Sequence, residues 1–104
     1  MTDIELDASG WVTPADFYAA LLDGLGAPSW HGTNLNALID SMIYGGINDI
    51  APPFRVTVRG IRSAAGEAGA AAATAFEALG DAGAHYSIAA DGSPTIEVIE
   101  TAYD

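Results

Sequence analysis

A chain of 104 residues can bury one core but not two, so a single domain spanning 1–104 is expected. Fourteen Asp and Glu stand against three Arg and no Lys, a formal charge of −11 that repels nucleic acid and anionic membranes and favours a basic partner. The absence of cysteine removes disulfides, thiol nucleophiles and Cys-type zinc sites, and no apolar run approaches the ~20 residues a membrane span needs.

Met1-Thr2-Asp3-Ile4-Glu5 carries early acids and no basic region, which argues against a signal peptide and for a cytoplasmic protein. Asp3 to Asp7 alternates polar and apolar and reads as a strand. A helix start follows, with Thr13 as N-cap, Pro14 at the first helical position, where a missing N–H costs nothing, and Asp16 as the capping-box acid. Phe17, Leu21 and Leu25 repeat at helical spacing, with Tyr18 and Leu22 alongside. Gly26 ends that helix and Pro28 keeps it from restarting.

Beyond the loop, Thr33 is expected to cap a second helix running to about Tyr44. At 100° per residue, Leu35, Leu38, Ile39, Met42 and Ile43 fall within one arc of ~140°, a core-facing stripe, while Asn36, Asp40 and Tyr44 sit four apart on another face. Gly45-Gly46 stops this helix, and Ala51-Pro52-Pro53 leads into a strand from Phe54 to Val58. A poorer, alanine-rich helix is expected from about Ser63 to Leu79; its run Ala70 to Ala73 reads as a close-packed helix surface or as compositional drift. Two last strands, His85 to Ala90 and Thr95 to Ile99, flank the turn Asp91-Gly92-Ser93-Pro94.

This order implies an α/β fold: a small, mostly parallel three-stranded sheet plus an added antiparallel C-terminal strand. All four strands alternate apolar and polar residues, whereas a parallel sheet covered on both faces would show continuous apolar runs. Helices are therefore expected chiefly on one face. The other, largely wet, would carry Glu5, Arg55, Thr57, Arg59 and Glu97, and cross-strand pairing there accounts for Arg55 and Arg59 without any function.

A search for catalytic chemistry finds little. His31 and His85 stand in no ligand pattern, Gly24-Leu25-Gly26 ends a helix rather than opening one, and the acid pairs Asp3/Glu5 and Glu97/Glu100 read as solvated strand surface. No enzyme activity, metal or cofactor is expected. The denser signal is the segment Pro28 to Asp40. An indole beside a glycine in a loop is either tucked into the core or displayed as an anchor. Gly32 lets backbone approach something closely, and Asn34, Asn36 and Asp40 line a polar face beside Trp30 and His31. Aromatic anchors bordering a hydrogen-bonding face have the composition of an interface hot spot.

Pro28, Trp30, Gly32, Asn34, Leu35, Ala37, Leu38 and Asp40 stand in the register Pro-x-aromatic-aromatic-Gly-x-Asn-Leu-Asp-Ala-Leu-x-Asp, with His31 in place of the second aromatic. In this the chain resembles the barstar-like family of small acidic inhibitors of bacterial ribonucleases. Element order extends the resemblance over about residues 3–90. It implies an inhibitor or immunity protein that plugs the cleft of a basic bacterial ribonuclease or nuclease toxin domain, as a monomer in a 1:1 complex. Asp40 would take a phosphate position there through charge-assisted hydrogen bonds, Trp30 would pack on the catalytic region, and Gly32 and Asn34 would make contacts. Three departures stand out. Asn36 replaces the family's earlier helix acid, Ala78 occupies the place of a contacting Glu with Glu77 adjacent, and Thr95 to Asp104 is extra. These suit a nuclease other than barnase, such as a toxin domain delivered between competing bacteria. The expected contact set is Trp30, His31, Gly32, Asn34, Asn36, Asp40, Tyr44 and Glu77, and the alternative is a regulatory module on the same fold that binds a non-nuclease protein.

Overall fold

The computed structural model describes residues 1–44, 48–64 and 66–99. Its elements run β1 (Thr2–Asp7), α1 (Pro14–Leu25), α2 (Leu35–Ile39) continued by a π-helical turn (Asp40–Tyr44), β2 (Phe54–Arg59), a 3₁₀ turn (Ile61–Ser63), α3 (Gly66–Asp81), β3 (His85–Ile88) and β4 (Pro94–Val98).

The ends of α1 are written locally. The Asp16 carboxylate reaches back to accept from the N–H groups of Val12 at 2.7 Å and Thr13 at 3.0 Å, satisfying donors that the first helical turn leaves free. At the other end Gly26 adopts the left-handed conformation (φ 65°). There Ala27 N–H donates to Leu22 C=O at 3.0 Å and Gly26 N–H to Asp23 C=O at 3.1 Å, a Schellman closure. The Gly45-Gly46 stop expected for the second helix lies outside the described residues.

The sheet is mixed, in the order β1-β2-β4-β3. β1 and β2 pair in parallel, while β4 pairs antiparallel with both β2 and β3. The three strands β1, β2 and β3 thus run one way and the last strand the other, as anticipated. What differs is its place. β4 is not appended at an edge but lies between β2 and β3, so only one of the three pairings is parallel. Once β3 leads into the tight Asp91-Gly92-Ser93 turn, β4 must lie against β3, and β2 offers its free edge on the other side.

Alternation then sorts the faces. Ile4, Val56, Ile96 and Tyr86 form one row across the four strands on the helix-covered side, and Leu6 pairs with Val58 beside them. Onto this side pack Phe17, Leu21 and Leu25 of α1 and Ala68, Ala72, Ala75, Phe76 and Leu79 of α3. Ala68, Ala72 and Ala75 form a small-residue stripe that lets α3 approach α1, and of the run Ala70 to Ala73 only Ala72 is fully buried in it. An aromatic series binds the layers: Trp11 to Phe17 at 5.6 Å, Phe17 to Phe76 at 6.3 Å, and Phe76 to Tyr86 at 6.2 Å between ring centroids.

On the opposite face Asp3, Arg55, Glu97 and His85 form a row. Arg55 is held by Glu97 at 2.8 Å and Asp3 at 3.2 Å, and Arg59 by Asp91 at 2.8 Å and Glu5 at 3.1 Å. Cross-strand pairing therefore accounts for both arginines. The face is drier than expected at its centre, where Thr57 and Thr95 are buried and their hydroxyls meet at 3.4 Å.

Three exposed carboxyls sit below their ordinary value because the folded chain donates to them: Asp16 through the N–H groups of Val12 and Thr13, Asp7 through the N–H of Ser9, and Asp91 through Ser93. As pH falls, the unfolded chain protonates these groups first, near the ordinary aspartate value of 3.8, while the folded chain still holds them ionised. Their contribution is present above that value and drains away below it. Urea midpoints should be flat from neutrality to about pH 5 and fall below about pH 4, and Asp16→Asn should flatten part of that acid limb.

Candidate functional site

The loop before α2 makes its own corner. His31 N–H donates to Pro28 C=O at 3.0 Å, closing a turn with Ser29 and Trp30 at its tip. The indole of Trp30 consequently stands 73% exposed, while the other tryptophan, Trp11, is the one in the core. Of the two readings open for this residue, display is the observed one.

The helix cap falls on Asn34 rather than Thr33. Asn34 has extended backbone (φ −141°, ψ 167°), and its Oδ1 accepts from Ala37 N–H at 2.9 Å. Both residue types can cap, but asparagine caps at least as strongly, and starting one residue later leaves Thr33 in the loop. The cap uses the Asn34 side-chain oxygen within the chain itself. Gly32 fits tightly beside this cap: a Cβ there would sit 3.2 Å from the Asn34 amide nitrogen and 3.3 Å from Ala37 Cβ, so a neighbour would have to give by a few tenths of an ångström. The close approach inferred for Gly32 is thus to its own helix start.

α2 is shorter than its apolar periodicity suggests. Regular α geometry ends at Ile39, and Asp40 to Tyr44 forms a π turn. The wider turn still buries Met42 and Ile43 while leaving Asn36, Asp40 and Tyr44 exposed, the division expected of a two-faced helix.

Trp30, His31, Gly32, Ala37 and Asp40 line one shallow depression of about 140 Å³. Among the described residues Asp40 makes no ion pair, whereas Arg55 and Arg59 are both occupied on the far face of the sheet. An unneutralised carboxylate and an exposed indole on one concavity can offer a charged acceptor and a flat apolar surface to the same partner.

His31 departs from expectation. It is only 8% exposed, so although it lines the Trp30–Asp40 concavity it offers little surface there. Its Nδ1 lies 2.7 Å from Gly32 C=O and its Nε2 2.8 Å from the buried Ser41 hydroxyl. A carbonyl can only accept, so Nδ1 carries a hydrogen, and in the neutral ring Nε2 accepts from Ser41. Ser41 was not singled out from sequence. The available signal was a hydroxyl between Leu38 and Met42 in the buried arc, where a polar atom must find a partner.

Glu77 is exposed on α3, in a separate depression with Gly80, Asp81, Ala84 and Tyr86. The structure does not bring it into the Trp30–Asp40 concavity. Among the described residues no group of three or more His, Asp or Glu side chains is placed to hold a metal ion, and no helix is long and apolar enough to cross a membrane.

Three helices on one face of a four-stranded mixed sheet, with a capped loop–helix segment at the surface, describe a small α/β domain. The model of the barstar (barnase inhibitor) family matches residues 1–99, and the chain belongs to that family. The match takes in β4, so the last strand as far as Ile99 is part of the family domain rather than an addition. Comparison with curated proteins and with solved structures gave no match.

Proposed function

We propose that this chain is a cytoplasmic inhibitor, or immunity protein, that blocks the active site of a basic bacterial ribonuclease or nuclease toxin domain in a 1:1 complex. The observation that carries the reading is the placement of the Asp40 carboxylate and the Trp30 indole on one exposed concavity, in a chain of charge −11 that belongs to the barstar family. A ribonuclease cleft is lined with cations arranged for phosphate. A carboxylate held on a helix can occupy such a position, and the surrounding negative field speeds encounter. Asn36 and Tyr44 would contribute neutral hydrogen-bonding groups at the border, with Gly32 and Asn34 shaping the loop.

Titration of the protein into its cognate ribonuclease, sought among small basic nucleases encoded beside it, should abolish RNA cleavage at one equivalent. Association should slow steeply as salt rises. Undiminished cleavage at excess inhibitor would refute the reading. Trp30→Ala should cost about 2 kcal/mol or more of affinity and leave the melting midpoint close to wild type, because an exposed side chain at a turn tip contributes little to the core. Calorimetric titration and thermal melts check the two halves. Asn36, where the family has an acid, gives some weight to a second reading, a module that binds a basic protein other than a nuclease. Capture of such a protein from native lysate, with no nuclease inhibited, would favour it.

A further inference from the structure

We propose that the His31–Ser41 bridge is a positioning device that fixes Trp30 and Asp40 relative to each other before any partner arrives. This rests on the reading of those two side chains as the contact pair. The bridge joins the two segments that carry them, since His31 follows Trp30 directly in the loop and Ser41 follows Asp40 directly in the π turn. One imidazole reaches both sides, binding Gly32 C=O at 2.7 Å and the Ser41 hydroxyl at 2.8 Å, while Leu38 C=O stands 3.4 Å from the same hydroxyl.

The local chemistry makes such a tie necessary. α2 has only five α-helical residues, too few to hold its own geometry, and it widens into a π turn at the residue that carries the carboxylate. The loop ahead of it is anchored by the turn at Pro28–His31 and by the Asn34 cap, neither of which touches the π turn. The buried imidazole–hydroxyl contact spans ten residues of chain and closes the loop onto the turn. A face held in this way loses less conformational freedom on binding, which is how preorganisation raises affinity.

Ser41→Ala removes the hydroxyl with almost no change in volume, and His31→Phe keeps a ring while removing both contacts. In the free protein, hydrogen exchange at the His31 and Ala37 amides should quicken by about tenfold or more in each variant, while amides of Ala72 to Leu79 in α3 stay unchanged. Affinity for the cognate ribonuclease should fall about tenfold in Ser41→Ala. In an Asp40→Ala, Trp30→Ala background the same substitution should have almost no further effect, since positioning acts only through the groups it positions. Unaltered loop exchange, exchange quickened uniformly across the chain, or a Ser41→Ala loss that persists undiminished in the double-variant background would each overturn the proposal. If the wild-type protein inhibits no ribonuclease, the functional reading falls, and the exchange experiment still decides whether the bridge holds the loop.

Discussion

Asp40→Ala is expected to weaken the complex with the cognate ribonuclease by more than about 2 kcal/mol while leaving the melting midpoint nearly unchanged. The two halves have separate causes. Asp40 is exposed and, among the described residues, paired with no cation, so its removal takes nothing from the fold except a solvated charge at the start of the π turn. In the complex the same carboxylate would lie in a cationic cleft, where removing one partner of a close ion pair leaves the other charge desolvated and unmatched. Asp40→Asn separates charge from shape. If charge is what the cleft reads, asparagine should recover little of the lost affinity, since it keeps the size and one acceptor but not the negative charge. Titration of wild type and both variants against the enzyme measures this, and equal affinities would remove Asp40 from the contact set.

The largest effect on stability is expected from Phe17→Ala, at about 3–5 kcal/mol. Phe17 is fully buried and touches the rings of Trp11 and Phe76, so it joins the loop before α1 to α3 across the centre of the core. Truncation removes apolar burial and leaves a void whose walls belong to separate elements and cannot collapse onto one another without moving the backbone. A loss of this size is a large part of the ~5–15 kcal/mol that holds a domain of this length together. Urea unfolding should show a much lower midpoint, with a smaller loss for Phe17→Leu. A midpoint within experimental error of wild type would contradict the central place given to this ring.

Legibility from sequence followed the range of the forces involved. The capping chemistry of α1, from the Asp16 carboxylate reaching back to Thr13 N–H to the Gly26 close, depends on residues within a few positions of each other and was readable. The pleat of each strand was equally plain, because alternation is local, and so was the pairing of Arg55 and Arg59 with acids across strands. The order of strands was not readable. Which edge β4 joins depends on non-local pairing, and no single strand's pattern encodes its neighbour. The helical period carried Leu38, Met42 and Ile43 correctly to the interior but could not reveal that the backbone widens at Asp40, since a π turn preserves roughly the same inside and outside.

In the candidate site the sequence placed His31 next to Trp30 without showing that its ring is largely buried while still lining the Trp30–Asp40 concavity. An imidazole is as suited to a buried hydrogen-bonded role as to display, and only the buried hydroxyl of Ser41, ten residues on, decides between them. Thr33 and Asn34 posed a similar ambiguity between adjacent capping residues, and the structure places the cap on Asn34, whose side-chain oxygen accepts from Ala37 N–H. Trp11 and Trp30 show the same limit from the other side: one ring completes the core and the other is left to solvent, which neither residue's immediate neighbours dictate.

The interior position of β4 bears on how the molecule is made. As the polypeptide leaves a ribosome, β1 and β2 can join early, but β3 has no docking site on them until the strand destined to lie between has emerged. Because Pro94–Val98 lies between β2 and β3, the complete sheet requires nearly the whole domain to have been synthesised.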